Sequence, residues 1–283
     1  MTARILSGKE LAASIRTELK QKIDLLETKP CLAVILVGDN PASRIYVRNK
    51  QKAAAEIGMD CRSYLFEASV SQTELSDLIA RLNADPQVNG IMIQLPLPDG
   101  LDEAAILQAV DPKKDVDGFH PYNIGLLQNN DPRALTAATP KGVIRLLKSV
   151  DYDFVGKKAL VIGRSKIVGK PVAMLLLNEN CTVTIAHRHS LDLPQLAVSA
   201  DLIVSACGCP EMIRGSWLKD GVAVIDVGIN RLNDRLCGDV CFAEALEKAS
   251  LLTPVPGGVG PMTIAMLLEN TLEAYYRQNS NSL

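Results

Sequence analysis

A short apolar run, residues 159–162, leads into Gly163-Arg-Ser-Lys-Ile-Val-Gly-Lys-Pro171, and a second apolar run covers residues 172–177. A buried strand, a glycine turn and a helix start are written there in order. This is the form of a dinucleotide-binding strand-to-helix turn, in which the helix N-terminus faces a pyrophosphate. Gly163 and Gly169 stand six apart with Ser165 at the middle position, so the turn departs from G-x-G-x-x-G and also reads as a plain connection.

The next segment adds to the first reading. Residues 181–186, Cys-Thr-Val-Thr-Ile-Ala, form a second strand-like run that ends in His187-Arg188-His189. In this fold the end of the second strand meets the adenosine ribose, where an acid suits NAD and a basic residue suits the 2′-phosphate of NADP. No acid is in reach here, and Arg164 brings a second guanidinium from the first turn. Two arginines aimed at one phosphate favour NADP, the alternative being a solvated basic loop.

The chain has 283 residues, enough for two domains or one large one, and 47% of them are hydrophobic against 22% charged. The net charge of −2 gives no reason to expect nucleic acid or an anionic membrane as partner. The longest apolar runs, such as residues 31–37, are too short to span a bilayer. The first ten residues lack the apolar core of a signal peptide, which leads to the expectation of a cytoplasmic protein. Seven cysteines, several within strand-like runs, read as reduced and mostly buried thiols. Cys207-Gly-Cys209 and Cys237-x-x-x-Cys241 lack zinc-site spacing, so no metal is expected.

Apolar positions 11, 12, 15, 19, 23 and 26 predict a first helix, with Ser7 and Glu10 as a capping box. The continuous run 31–37 predicts a central strand buried on both faces. A helix over 42–57, stopped by Gly58, carries Tyr46 and Lys50 four apart on one face, just beyond a strand's carboxyl end. By spacing alone the pair also reads as a surface lysine beside a half-buried tyrosine. Further strands are predicted at 61–66 and 91–95, and helices at 73–83 and 101–109. Gln94 is polar in an otherwise apolar strand and must find partners or face a cleft. Asp115 and Asp117, in Lys113-Lys-Asp-Val-Asp-Gly118, read by themselves as a turn.

Thr136-Ala-Ala-Thr-Pro-Lys-Gly142 reads as a linker with Pro140 at the first position of a helix running to about residue 150, and the domain boundary is placed there. Beyond it, strands at 158–162, 181–186, 201–206 and 222–227 alternate with helices near 169–179 and 192–199. That alternation predicts a parallel, doubly wound sheet. Asp226-Val-Gly-Ile-Asn230 is another strand end on the ligand edge. Thr253-Pro-Val-Pro-Gly-Gly-Val-Gly-Pro-Met-Thr263 is a shaped loop before an apolar last helix, about 262–276, expected to pack on the N-terminal domain.

Four motifs carry a resemblance along the chain: Tyr46-Val-x-x-Lys50, Gln94-Leu-Pro-Leu-Pro98, Gly163-Arg-Ser-x-x-Val-Gly169 and Pro256-Gly-Gly-Val-Gly-Pro-Met-Thr263. Asp115-Val-Asp-Gly118 and Thr139-Pro-Lys-Gly142 support it. In this order and over this length the chain resembles the bifunctional methylenetetrahydrofolate dehydrogenase/cyclohydrolase (FolD) family of one-carbon metabolism and purine biosynthesis. The resemblance implies a homodimer of two-domain α/β subunits acting on tetrahydrofolate derivatives with NADP. The catalytic domain is expected at 1–139 together with the helix 264–283, and a Rossmann-type NADP domain at 140–263. The resemblance implies Lys50 as general acid/base with Gln94 as its partner, and Tyr46 against the folate. Asp117 would hold the pterin, with Pro256 and Gly257 lining the same cleft. It also implies Thr139, Gly163, Arg164, Ser165 and Ile229 on the cofactor side, to which the basic strand end adds Arg188. Two positions depart from the family pattern: Ala138 stands where a cysteine is common, and Arg188 where many members have serine.

Overall fold

The computed structural model describes residues 2–279 except Asp234, and not the side chain of Ala42. The first half of the chain forms β1 (Arg4–Ile5), α1 (Gly8–Asp24), β2 (Cys31–Val37), α2 (Pro41–Glu56), β3 (Asp60–Phe66) and α3 (Gln72–Ala84). It continues with β4 (Gly90–Ile93), α4 (Glu103–Ala109) and α5 (Pro121–Gln128). The second half forms α6 (Ala138–Lys148), β5 (Lys158–Ile162), α7 (Gly169–Asn178), β6 (Thr182–Ala186), α8 (Leu193–Ser199), β7 (Leu202–Ser205) and β8 (Ala223–Asp226). It ends with β9 (Asn230–Leu232), β10 (Arg235–Cys237), α9 (Phe242–Lys248), β11 (Leu251–Leu252) and α10 (Val259–Asn279). The elements gather into two compact units, residues 14–138 with 264–279, and residues 2–13 with 139–263.

In the unit of residues 14–138 and 264–279, a parallel sheet runs in the order β3-β2-β4. All seven residues of β2 are buried, as a central strand covered on both faces requires. Leu75, Leu78, Ile79 and Leu82 of α3 pack on one face with Ile35, Ile91 and Ile106. Each such side chain contributes ~1.5–3 kcal/mol when fully buried. The final helix is held here by polar contacts as well: Asn270 donates to the carbonyls of Val116 and Thr136, and Gln278 Nε2 to that of Asn89. Because β2 lies between β3 and β4, the chain leaves neighbouring strands in opposite directions at the carboxyl ends of β2 and β4, the place where open α/β sheets bind ligands.

In the unit of residues 2–13 and 139–263, six parallel strands run in the order β1-β11-β8-β7-β5-β6. Strand β5 lies between β6 and β7, so the switch of direction falls at the ends of β5 and β7. Residues 2–13 belong to this compact unit. Arg4 and Ile5 pair with Leu251 and Leu252, and the Lys9 amide donates to the Gly257 carbonyl at 3.0 Å. Gly8 lies so close to Gly258 that a Cβ on it would sit 1.8 Å from the Gly258 oxygen, an approach open only to glycine. Strand β1 is two residues long, too short to leave a periodic trace in sequence. Pro140 is the third residue of α6, which begins at Ala138.

Candidate active site

Helix α2 follows β2 and carries Tyr46 and Lys50 on one face. Tyr46 is exposed, whereas Lys50 is only 8% exposed, so little water solvates its ammonium group. Lys50 Nζ donates to Gln94 Oε1 at 3.0 Å and to Met92 Sδ at 3.1 Å. Gln94 sits one residue past β4, where its amide N–H donates to the Ile35 carbonyl at 2.8 Å. Its side-chain Nε2 is committed to the Leu95 carbonyl at 2.9 Å, which turns Oε1 toward Lys50. The polar residue in an apolar run thus has its partners. Burial holds the Lys50 amine below its ordinary range, and the charge of Asp117 works against that shift.

The two aspartates of the 113–118 turn have separate roles. Asp115 is buried and accepts from the amides of Phe119 (3.2 Å) and His120 (2.8 Å) and from Asn123 Nδ2 (2.9 Å). It builds the turn that leads into α5. Asp117 faces Lys50 electrostatically. Burial pushes its carboxyl up to about 7, while Lys50 and an Ile93 amide pull it down. Lys50, Gln94 and Asp117 therefore form one polar set among Ile93, Met92 and the strand ends. Met92 escaped the reading of the sequence, because a methionine in a buried strand looks like any core residue.

Pro256 and Gly257 belong to the other compact unit, with Thr139. Pro256 is exposed, and Gly257 takes φ +103°. Thr139 Oγ1 lies 2.8 Å from Thr263 Oγ1, tying the start of α6 to the end of the glycine-rich loop.

In that unit, the end of β5 opens onto a cleft of about 410 Å³ lined by Gly163, Arg164, His187, Arg188, Ala206, Cys207 and Cys209, among others. Gly163 takes φ +129°, and a Cβ there would lie 2.3 Å from the Ala206 carbonyl; one on Gly169 would lie 2.2 Å from that of Gly163. Both glycines are required by close backbone packing, one of the uses of glycine in a dinucleotide turn. Ser165, in place of the middle glycine, accepts from the amides of Val168 (3.1 Å) and Gly169 (3.3 Å) and so braces the turn into α7. The guanidinium-bearing Arg164 and Arg188 are both exposed and border the same cleft. Arg188 Nε donates to His189 Nε2 at 3.1 Å. Ile229 is half exposed, on the turn after β8. A cleft at the switch point, a tight glycine turn leading into a helix and two arginines on its rim fit a dinucleotide with a further phosphate.

The seven cysteines are free thiols. No group of three His, Cys, Asp or Glu suited to a metal occurs among the described residues, and no described helix is long and apolar enough to cross a membrane.

Comparison with known proteins gives a consistent result. Residues 6–117 match the catalytic domain of tetrahydrofolate dehydrogenase/cyclohydrolase, and residues 137–279 match its NAD(P)-binding domain. A bifunctional protein FolD of Rhodopseudomonas palustris is 53% identical over 284 aligned residues, covering 97% of this chain and 96% of its own. The crystal structure of the bifunctional FolD enzyme of Campylobacter jejuni superposes with a TM-score of 0.96 at 48% identity, covering 99% of this chain and all of the other. The Trypanosoma brucei FolD, solved with NADP cofactor and an inhibitor, gives 0.95 at 39% identity, with 98% of each chain covered.

Proposed function

The chain belongs to the tetrahydrofolate dehydrogenase/cyclohydrolase family, and we propose a division of its two ligands between the two compact units. It is a bifunctional enzyme that oxidises 5,10-methylenetetrahydrofolate to the methenyl cation with NADP and hydrolyses that cation to 10-formyltetrahydrofolate. In our reading residues 14–138 and 264–279 bind the folate, and residues 2–13 and 139–263 bind the cofactor.

On the cofactor side, the Gly163-Arg164-Ser165 turn and the start of α7 would take the pyrophosphate, Arg164 and Arg188 the 2′-phosphate, and Thr139 and Ile229 the nicotinamide end. When bound, the cofactor supplies a hydride acceptor. The protein's part in that step is positioning.

Hydrolysis asks more of the protein. The attacking water must lose a proton, and a ring nitrogen must gain one as the C–N bond opens. The geometry of Lys50 carries this assignment. A neutral amine has two hydrogens and one lone pair. Gln94 Oε1 and Met92 Sδ accept the two hydrogens, so the lone pair remains to take a proton from water. Burial favours that neutral form, and a cationic substrate beside it favours it further. The resulting ammonium then returns the proton to the leaving nitrogen. Asp117 would hold the pterin, and Tyr46 would lie against its ring.

The test is an absorbance assay with methylenetetrahydrofolate and each nicotinamide cofactor. The reading expects turnover with NADP⁺ followed by loss of the methenyl chromophore; cofactor binding without folate turnover would overturn it. We also assign the chain to the cytoplasm and to a homodimer. Strand β3 is at one edge of its sheet, and its Leu65 is 65% exposed, a surface suited to a second copy. Sedimentation at micromolar concentration should show twice the chain mass of 30.5 kDa, and a species of single mass alone would refute the dimer.

A further inference from the structure

Asp239 lies two residues past β10, distant in sequence from the glycine turn, and is completely buried. Its Oδ2 accepts from Ser205 Oγ (3.0 Å) and from the amides of Cys207 (2.8 Å) and Gly208 (3.2 Å). Its Oδ1 accepts from the Cys209 amide (2.9 Å) and from Asn230 Nδ2 (2.8 Å). Apart from Ser205, the last residue of β7, these donors follow β7 and β8 on the ligand edge of the sheet. Cys207 and Cys209 line the cofactor cleft, and Asn230 follows Ile229 on the turn after β8. That turn also presses on the carboxylate: a Cβ at Gly228 would lie 2.3 Å from Asp239 Cγ.

Asp239 is itself anchored to the sheet. Asp226, the last residue of β8, accepts from the amides of Gly228 (2.9 Å), Asp239 (3.0 Å) and Val240 (2.9 Å). The order of support is therefore sheet, Asp226, Asp239, and then the loops 207–209 and 228–230. The five groups bonded to the Asp239 oxygens are all donors. An ionised carboxylate is acceptor-only and satisfies them all, whereas an amide would set its own N–H₂ against them.

We propose that Asp239 is a positioning residue for the nicotinamide cofactor, its carboxylate fixing the loop after β7, which lines the cleft, and the turn after β8, which carries Ile229. This rests on the assignment of that cleft to the cofactor. The dehydrogenase step needs the loops in place. Hydrolysis of preformed methenyltetrahydrofolate consumes no cofactor, so the two activities of one polypeptide report on different parts of it.

The experiment compares full-length D239N with the wild type. NADP⁺ KM is measured in the dehydrogenase reaction, NADP⁺ Kd by calorimetry, and cyclohydrolase kcat/KM on preformed substrate without cofactor. Hydrogen bonds to a charged group carry enough energy that losing part of this set should raise KM and Kd for NADP⁺ by at least ~10-fold. Cyclohydrolase should stay within about twofold, since the loops it would lose are not charged with holding Lys50. An unchanged NADP⁺ KM, or both activities falling in parallel, would overturn the proposal. Should D239N not fold, N230A removes one donor and leaves the carboxylate, with the same split expected at roughly threefold; a folded N230A with wild-type NADP⁺ KM would then refute it. A wild-type protein that binds no NADP⁺ in the calorimeter would instead refute the cofactor assignment itself.

Discussion

Replacing Gln94 in two ways should move the cyclohydrolase pH profile in opposite directions. Gln94 Oε1 accepts from Lys50 Nζ at 3.0 Å, and the other acceptor at that amine is a thioether, a weak one. The bond favours the ammonium over the amine. In Gln94→Leu it is lost, together with the Nε2 donor to the Leu95 carbonyl. A hydrogen bond to a charged group is worth about 1.5–3 kcal/mol. At 1.36 kcal/mol for each pH unit, the acid limb of the profile should move down by about one to two units. The plateau rate should also fall, by roughly 10-fold, because the lysine is no longer held in place. Gln94→Glu puts a carboxylate where the amide oxygen was, which favours the ammonium. Its acid limb should move up, so that activity is depressed near neutrality and regained at higher pH. The assay follows loss of methenyltetrahydrofolate absorbance from pH 5 to 9, with uncatalysed hydrolysis subtracted at each point. Limbs that stay fixed in both variants, or move the same way, would show that the acid limb does not belong to Lys50.

Two further outcomes follow from other parts of the molecule. Arg188→Ser should raise KM for NADP⁺ by about three- to tenfold and leave NAD⁺ use little changed, the exposed guanidinium being screened by water; equal effects on both cofactors would make Arg188 structural. Asp226 has a carboxyl pushed up by burial to about 7, above its unfolded value near 3.9, so the folded chain holds that proton more tightly. Its contribution to stability is full below about pH 4 and is lost as pH rises to about 7, so the urea midpoint should fall between about pH 4 and 7, level off above that, and fall less in D226N.

The elements legible in the sequence are those whose apolar pattern is long or unbroken. Strand β2 reads as buried because every residue from Cys31 to Val37 is apolar, and α3 shows its buried stripe at Leu75, Leu78, Ile79 and Leu82. Helix α5 went unread because Pro-Tyr-Asn-Ile-Gly-Leu-Leu-Gln has no single apolar face; the available signal was Pro121 after His120, whose Nδ1 accepts from the Tyr122 amide at 3.0 Å. Strands β9 and β10 are three residues each and exist through their pairing with one another. In the site, spacing puts Tyr46 and Lys50 on one helical face, but nothing local distinguishes Asp117 from Asp115. The difference arises from the fold, which surrounds one with loop amides and sets the other beside a buried lysine. Asp239 was invisible for the same reason: its partners lie about nine to thirty-four residues away in sequence.

The central claim is that Lys50 moves the proton in hydrolysis and is not needed for one in hydride transfer. Removing hydride from the methylene carbon leaves a cation delocalised over two nitrogens, with no proton displaced. Lys50→Met keeps the length of the side chain and removes the amine. Both activities are measured on one purified preparation whose fold is checked by circular dichroism. Cyclohydrolase should fall by at least ~10²-fold, the usual worth of a general acid/base, while dehydrogenase falls distinctly less through lost positioning. A folded Lys50→Met enzyme that still hydrolyses methenyltetrahydrofolate at near-normal rates above background would contradict the account.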